Sequence, residues 1–340
     1  MSLLSRVAER IYWSARYLER AETTSRLARV YGNLLLDLPR QTGLKWDVLI
    51  QITGVAGIYA ELHPHPGADT AQRFFLADRN NPSSVRCSLT CARESIRTTR
   101  DIVPSEAWRC INELCIDVSR ELDAETSQRR RFAILSRVVA GCQQISGMLA
   151  DTMSHDAAYQ FFRVGRGIER ADMNTRIIDV AAATLLGRED LARFDNSLWM
   201  AVLQSLSAYQ MYRQKVRRRI GGADVIHYLL KDTQFPRAFA FGLRELGASL
   251  ASLPRHAEPL KKLGDLRRQL AVFDVTRIDI AALHHWIDDS QLALGELHAL
   301  IHATWFEPTA KPVGAAHPEA QDQTQTQSQS QSQAETPAHA

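Results

Sequence analysis

Arginines and glutamates at helical spacing are the side chains of this chain that could act together chemically. In IYWSARYLERAETTSRLARV, residues 11–30, the set is Arg16, Glu19, Arg20, Glu22 and Arg26. A carboxylate among guanidinium groups has three uses. It forms ion pairs on a helix surface, it is a covered clamp between helices, or it belongs to an anion site. In the last case the glutamate serves as acid or base and the arginines orient an anionic substrate. Arginine suits the covered versions, because a buried charge persists only when paired and guanidinium offers five donors in a rigid fork.

The pattern returns 150 residues later as FFRVGRGIERADMNTRIIDV, residues 161–180. Setting Glu19 on Glu169 makes six positions identical: Arg16/Arg166, Glu19/Glu169, Arg20/Arg170, Ala21/Ala171, Arg26/Arg176 and Val30/Val180. Asp172 takes the place of Glu22. A repeat at fixed offset implies two related structural units rather than one motif met twice.

Helices must position these groups. At about 100° per residue, Tyr12, Arg16, Glu19, Arg20, Thr23, Arg26, Leu27 and Val30 form one band. Leu4, Val7, Ile11, Leu18 and Ala21 lie opposite, and Trp13, Tyr17 and Tyr31 fill much of the remainder. No face is simply solvated, so protein is expected to cover the charged band at least in part. Along each helix the spacing fits Arg16–Glu19 and Glu22–Arg26 pairs, then Arg166–Glu169 and Asp172–Arg176.

Further landmarks recur. WDVLIQITGVAGIYAEL from Trp46 reads as a helical run with a counterpart from Trp199, and Gly67-Ala68-Asp69 matches Gly222-Ala223-Asp224. Asp69 and Asp224 are expected to cap helices. Pro82 and Pro236 are expected in the first turn of helices, and Ser105 is expected to cap the next. Strand-type alternation is absent. The fold class expected is all-α, a multi-helix bundle of two pseudo-repeats without significant sheet. Residues 1–155 form the first half and 156–306 the second. From residue 307 a Gln/Ser/Thr-rich tail to residue 340 lacks the large apolar side chains needed to offset ordering entropy.

Composition narrows the function. With 340 residues and 45% hydrophobic content the chain can build a substantial core. A formal charge of +3 argues against a dedicated nucleic-acid binder. Arg129-Arg130-Arg131 and the run from Arg213 to Arg219 are basic but lack interleaved aromatics, and the second reads as a helix end before Gly221-Gly222. The apolar segments fall short of the roughly 20 residues a membrane span needs, and Arg6, Glu9 and Arg10 interrupt the N-terminal apolar pattern. A cytoplasmic location is the expectation. Cys87, Cys91, Cys110, Cys115 and Cys142 are odd in number, without CxxC spacing, and read as free thiols in or near the core. His298 and His302 stand one turn apart but lack a visible third ligand, and His284-His285 and His63/His65 are weaker still, so no metal site is expected. No phosphate-cradling glycine loop, nucleophile elbow or HExxH occurs, so neither a cofactor nor a nucleotide site of those kinds is expected.

YLERAETTSRL and GIERADMNTRI resemble the doubled Glu-Arg signature of the Alpha-E domain family of helical bacterial proteins. LSRVAERIYW at the N-terminus, NPSSVRCSLTCARESIR at residues 81–97 and the GRGIERAD approach to the second motif extend the resemblance over residues 1–306. Cys91 and Ser95 depart from the pattern within the central helix. The resemblance implies partnership with a circularly permuted ATP-grasp protein, with a transglutaminase-like protease as pathway neighbour.

Three functional readings follow. The first is a helical accessory protein acting with an ATP-grasp amide-bond ligase. The second is an enzyme using Glu19 or Glu169 as acid or base. The third is a helical nucleic-acid-binding module built on the basic clusters.

Overall fold

The structure, a computed structural model, describes residues 3–39, 42–65, 67–124, 127–186, 188–275 and 279–307. The Gln/Ser/Thr-rich tail lies outside the described residues. Among those described there are fourteen α-helices and no strand, so the fold is all-α.

Two long helices form the centre, α1 (Ser5–Asp37) and α8 (Ala157–Leu185). Their apolar residues spread around the helix, as a centrally placed helix requires. α1 buries Ile11, Tyr12, Ala15, Leu18, Ala21 and Leu27, and α8 buries Phe161, Val164, Ile168, Ala171, Ile177 and Ile178. Around α1 stand α5 (Val85–Arg97), α6 (Ser105–Asp123) and α7 (Gln128–Thr152). α1 packs on α5 and α7, which both pack on α6, closing a four-helix ring. Around α8 the same ring is closed by α12 (Phe239–Ala251), α13 (Ala257–Val272) and α14 (Ile280–Ile301). An outer helix such as α6 keeps a single apolar stripe, Ala107, Ile111, Leu114, Cys115 and Val118, and leaves its other side to water.

Short helices bridge each long helix to its ring: α2 (Asp47–Ile52), α3 (Ala56–Leu62) and α4 (Ala68–Leu76) after α1. After α8 come a 3-10 turn (Glu189–Phe194), α9 (Asp195–Ser205), α10 (Tyr209–Lys215) and α11 (Gly222–Lys231). The run from Trp46 is thus two helices, because Gly54 adopts φ +69° between them. Its counterpart Ser207 also adopts a left-handed φ, 53°. α2 packs on α8 while α9 packs on α1, so the connecting segments cross over. All of this lies in one compact unit, Met1–Glu307.

Several helix starts differ from expectation. Asp69 and Asp224 lie inside the first turns of α4 and α11, after Gly67 and Gly221 as caps, where a carboxylate favours the helix dipole without bonding the backbone. Gly221 is extended, not left-handed, since it begins α11 rather than ending α10. Pro104 precedes α6, and Ser105 is its first residue. Pro82 and Pro236 sit in the turns before α5 and α12, which open at Ser84 and Ala238. Ser84 Oγ accepts from Cys87 N at 3.1 Å, whereas Ala238 offers no such oxygen. α7, at 25 residues, is long and apolar enough by those criteria to cross a membrane, contrary to expectation. Its Ile134, Val138, Cys142, Ile145 and Leu149 are buried in the core.

α1 and α8 run in the same direction. Tyr12 lies against Gly165 near one end, and Leu27 and Val30 share a cavity wall with Ile177 and Ala181 toward the other. The backbones come close at Gly165, where a Cβ would stand 2.2 Å from the Tyr12 carbonyl oxygen. Gly165→Ala must therefore push backbone away from backbone, and we expect a loss of at least about 1–3 kcal/mol. Gly147→Ala, with nothing within 4 Å of the new Cβ on the exposed face of α7, is expected to be neutral or to gain up to about 1 kcal/mol. Urea unfolding of the two variants checks both signs.

Candidate functional site

The Glu-Arg bands of α1 and α8 face each other and exchange partners. Glu169 accepts from Arg16 Nε at 2.8 Å and from Arg20 Nε and Nη2 at 2.5 and 3.0 Å. Glu19 accepts from Arg166 Nε at 3.1 Å and from Arg170 Nε and Nη2 at 2.9 and 2.6 Å. Each glutamate is thus held by the arginines of the other helix, not by those of its own. The expected Arg16–Glu19 and Arg166–Glu169 pairs do not form. An inward-facing carboxylate meets a facing helix before a neighbour on its own surface. Glu22–Arg26 and Asp172–Arg176 do pair along their helices, the latter at 3.0 Å.

Arg237, just before α12, adds a third guanidinium to Glu19 at 3.0 Å and reaches Glu22 with its other arm. Sequence reading missed it, and the repeat gave no signal, since Ser83 stands where register with Pro82 would place an equivalent. Arg26 also donates to Ser207 Oγ, while Arg176 approaches Gly54, Nη1 lying 3.0 Å from where a Cβ would be. The two left-handed residues thus sit against reciprocal arginines.

The Glu19 and Glu169 side chains are each only 1% exposed. Burial alone would raise their pKa values. Arg170, Arg237 and Arg166 outweigh it and hold Glu19 well below the usual carboxylate range, and Arg20 with Arg16 lower Glu169. Both are therefore carboxylates at neutral pH, with oxygens already occupied by donors. A group in that state stabilises and orients cations. It is poorly placed to exchange protons with a substrate.

Other candidates are placed as follows. His298 Nδ1 lies 2.8 Å from the Tyr12 hydroxyl, and the rings stack. Burial pushes Tyr12 up to about 12, and burial followed by the Arg16 charge pushes His298 down to about 4, so the pair is neutral near pH 7. His302 instead faces Glu9 and Glu307 at 3.8 and 3.5 Å. Among the described residues, Asp179, His284 and Asp288 converge closely enough to hold a metal ion. His284, however, directs Nδ1 at Asp179 (2.8 Å) and Nε2 at Asp288 (3.5 Å). Its pKa is raised chiefly by the Asp179 hydrogen bond, as suits an imidazolium between two carboxylates. Within the basic clusters, Arg131 is tied to Asp69, Lys215 to Asp232 and Arg218 to Asp224. The cysteines are free, with Cys115 and Cys142 buried and Cys87, Cys91 and Cys110 half-buried.

A family model, Alpha-E, described as "A predicted alpha-helical domain with a conserved ER motif", matches residues 3–306. Glu19-Arg20 and Glu169-Arg170 are Glu-Arg dipeptides within that range. Among curated proteins the chain is similar to the uncharacterized proteins Mb2597 of Mycobacterium bovis and Rv2567 of Mycobacterium tuberculosis. Each is 23% identical over 325 residues, covering 88% of this chain and 35% of the relative. The chain thus spans about a third of the length of the curated relatives it matches. No solved structure matches it.

Removing a clamp carboxylate leaves buried guanidinium groups unpaired. Glu19→Ala is expected to cost about 3–5 kcal/mol in chemical unfolding, whereas Glu94→Ala, at an exposed pair with Arg97, leaves the midpoint nearly unchanged. The clamp also sets an acid limit. Both carboxyls have lower pKa values folded than unfolded, so the unfolded chain binds protons first as pH falls. Their contribution is full above the unfolded glutamate value of about 4.3 and is lost as pH falls from there through the folded values. Glu19→Gln should flatten that acid limb in a plot of unfolding free energy against pH. An equally steep limb in the variant would contradict the assignment.

Proposed function

This chain belongs to the Alpha-E family, and from that premise we propose that it is a helical accessory module acting beside an ATP-grasp amide-bond ligase. The observation carrying this reading is the sealed state of Glu19 and Glu169. Each is ionised, about 1% exposed and saturated by arginines of the facing helix. Such groups fix the relation of two helix rings and leave acyl activation to another polypeptide. The chain matches about a third of each curated relative, which fits a module that works together with other sequence.

An ATP-grasp ligase activates a carboxylate as an acyl phosphate and passes it to an amine. A rigid helical companion presents the acceptor or closes the ligase cleft against water. The folded unit Met1–Glu307 carries this contact, with the Gln/Ser/Thr-rich tail as a spacer. A transglutaminase-like protease acts on the same class of amide bond and is a pathway neighbour.

Co-purification tests the reading. A circularly permuted ATP-grasp protein from the same organism should co-elute with the full chain and with a version ending at residue 307, with or without nucleotide. The reading fails if neither associates while the chain alone turns over an amide or peptide substrate.

A further inference from the structure

Arg163, Arg166 and Arg170 line one side of a groove of about 200 Å³ between α8 and α12. Their charge is incompletely balanced. Glu19 is shared by Arg166, Arg170 and Arg237, and Glu245 by Arg163 and Arg244. Five guanidinium groups thus rely mainly on two carboxylates, with Glu22 taking the second arm of Arg237.

Donors also remain. Arg166 uses only Nε, on Glu19, and neither terminal nitrogen has a hydrogen-bond partner among the described residues. Arg170 keeps Nη1 free of such a partner, and Arg163 keeps Nε and Nη1. Burial, then the neighbouring Arg170 charge, lowers the pKa of Arg166, the direction expected of a cation short of counter-charge.

The first half shows the same arginine face with aromatic rings set against it. At the 150-residue offset, Trp13 stands for Arg163 and Tyr17 for Gly167. Those rings stack at 5.5 Å, and the guanidinium groups of Arg16 and Arg20 lie 4.8 Å from Trp13 and 5.8 Å from Tyr17. There, aromatic rings cover the outer faces of the clamp arginines. In the second half, the cover is replaced by a third arginine and by a glycine, and the space stays open.

We propose that this groove binds a small organic oxyanion, phosphoryl or carboxyl, with Arg163, Arg166 and Arg170 as its donors. Guanidinium forks match both groups bidentately. Tyr159, Phe241 and Leu246 supply an apolar wall for the organic portion. The volume is below the roughly 300–1,000 Å³ of drug-sized pockets, which suits a small anion or the anionic end of a longer molecule. Glu245 limits the net charge of the groove and sets its polarity, since it draws Arg163 across toward α12 at 2.9 Å. The site needs no partner protein, so its test is independent of the accessory role.

Isothermal titration of the full chain at low salt, with inorganic phosphate, phenyl phosphate and phenylacetate as probes, decides the matter. Binding of at least one aryl anion more tightly than inorganic phosphate is expected. Arg163→Gln should weaken it about tenfold, the value of one charge-assisted hydrogen bond. Gly167→Tyr, which restores the ring found in the first half, should abolish it. A Cβ at Gly167 meets nothing nearer than Leu246 Cδ1 at 3.4 Å, so the backbone there accepts a side chain, and the melting temperature of the variant is compared with wild type before titration. If it does not fold, Arg163→Gln carries the test alone. Binding of phenyl phosphate alone assigns a phosphoryl ligand, and of phenylacetate alone a carboxylate. Absence of binding by all three, or affinity unchanged in the folded variants, overturns the proposal.

Discussion

A carboxylate of one helix held by the guanidinium groups of another, and the reverse, is the constraint on which the rest of this structure depends. Taking Glu19 and Glu169 out of water carries a desolvation cost of several kcal/mol per ion, recovered only through good geometry. Fork-like contacts from Arg20 and Arg170, with further bonds from Arg16 and Arg166, provide it. Such geometry fixes the axial position of α1 against α8, because a slip by one helical turn would cost each carboxylate one of its two arginines on the facing helix. Gly165 lets the backbones come close enough for the exchange. The two outer rings of helices then close around a pair whose register is already determined.

The two halves meet this constraint unequally. Glu19 has a third guanidinium in Arg237, and among the described residues Glu169 has no equivalent. α5 begins on Ser84, whose hydroxyl satisfies a backbone N–H, whereas α12 begins on Ala238. Aromatic rings lie against the outer arginine face of α1, and a groove opens over that of α8. A clamp of this kind demands the glutamates and their partner arginines in both copies. It demands little of the residues one turn further out, where the aligned segments differ. Difference between the copies is therefore more informative about binding than likeness, which reports the shared frame.

These features bear on how the domain works. Arginine-saturated carboxylates give a centre with fixed charge near neutral pH, and Tyr12 with the half-buried His298 adds a pair that is neutral there. Chemistry that needs a titrating group finds little to use at this centre. Recognition of an anion or of another protein needs only surfaces held in place, which two interlocked helix rings supply.

The sequence alone determined the helical class, the central place of residues 11–30 and 161–180, and the identity of nearly every charge in the clamp. Those properties follow from periodicity, burial and a repeat at fixed offset, all local or self-similar signals. It misdirected the pairing, because i, i+3 spacing describes which groups share a helix face and not what lies across from it. Only the tertiary structure decided that Glu19 belongs to Arg166 and Arg170, since that choice depends on α1 and α8 running side by side. Arg237 entered through a turn 218 residues away, beyond the reach of any local pattern. The groove was half legible: Arg163 for Trp13 and Gly167 for Tyr17 are visible in the aligned copies. What those exchanges leave open depended on α12 standing opposite, a packing fact that no single helix encodes.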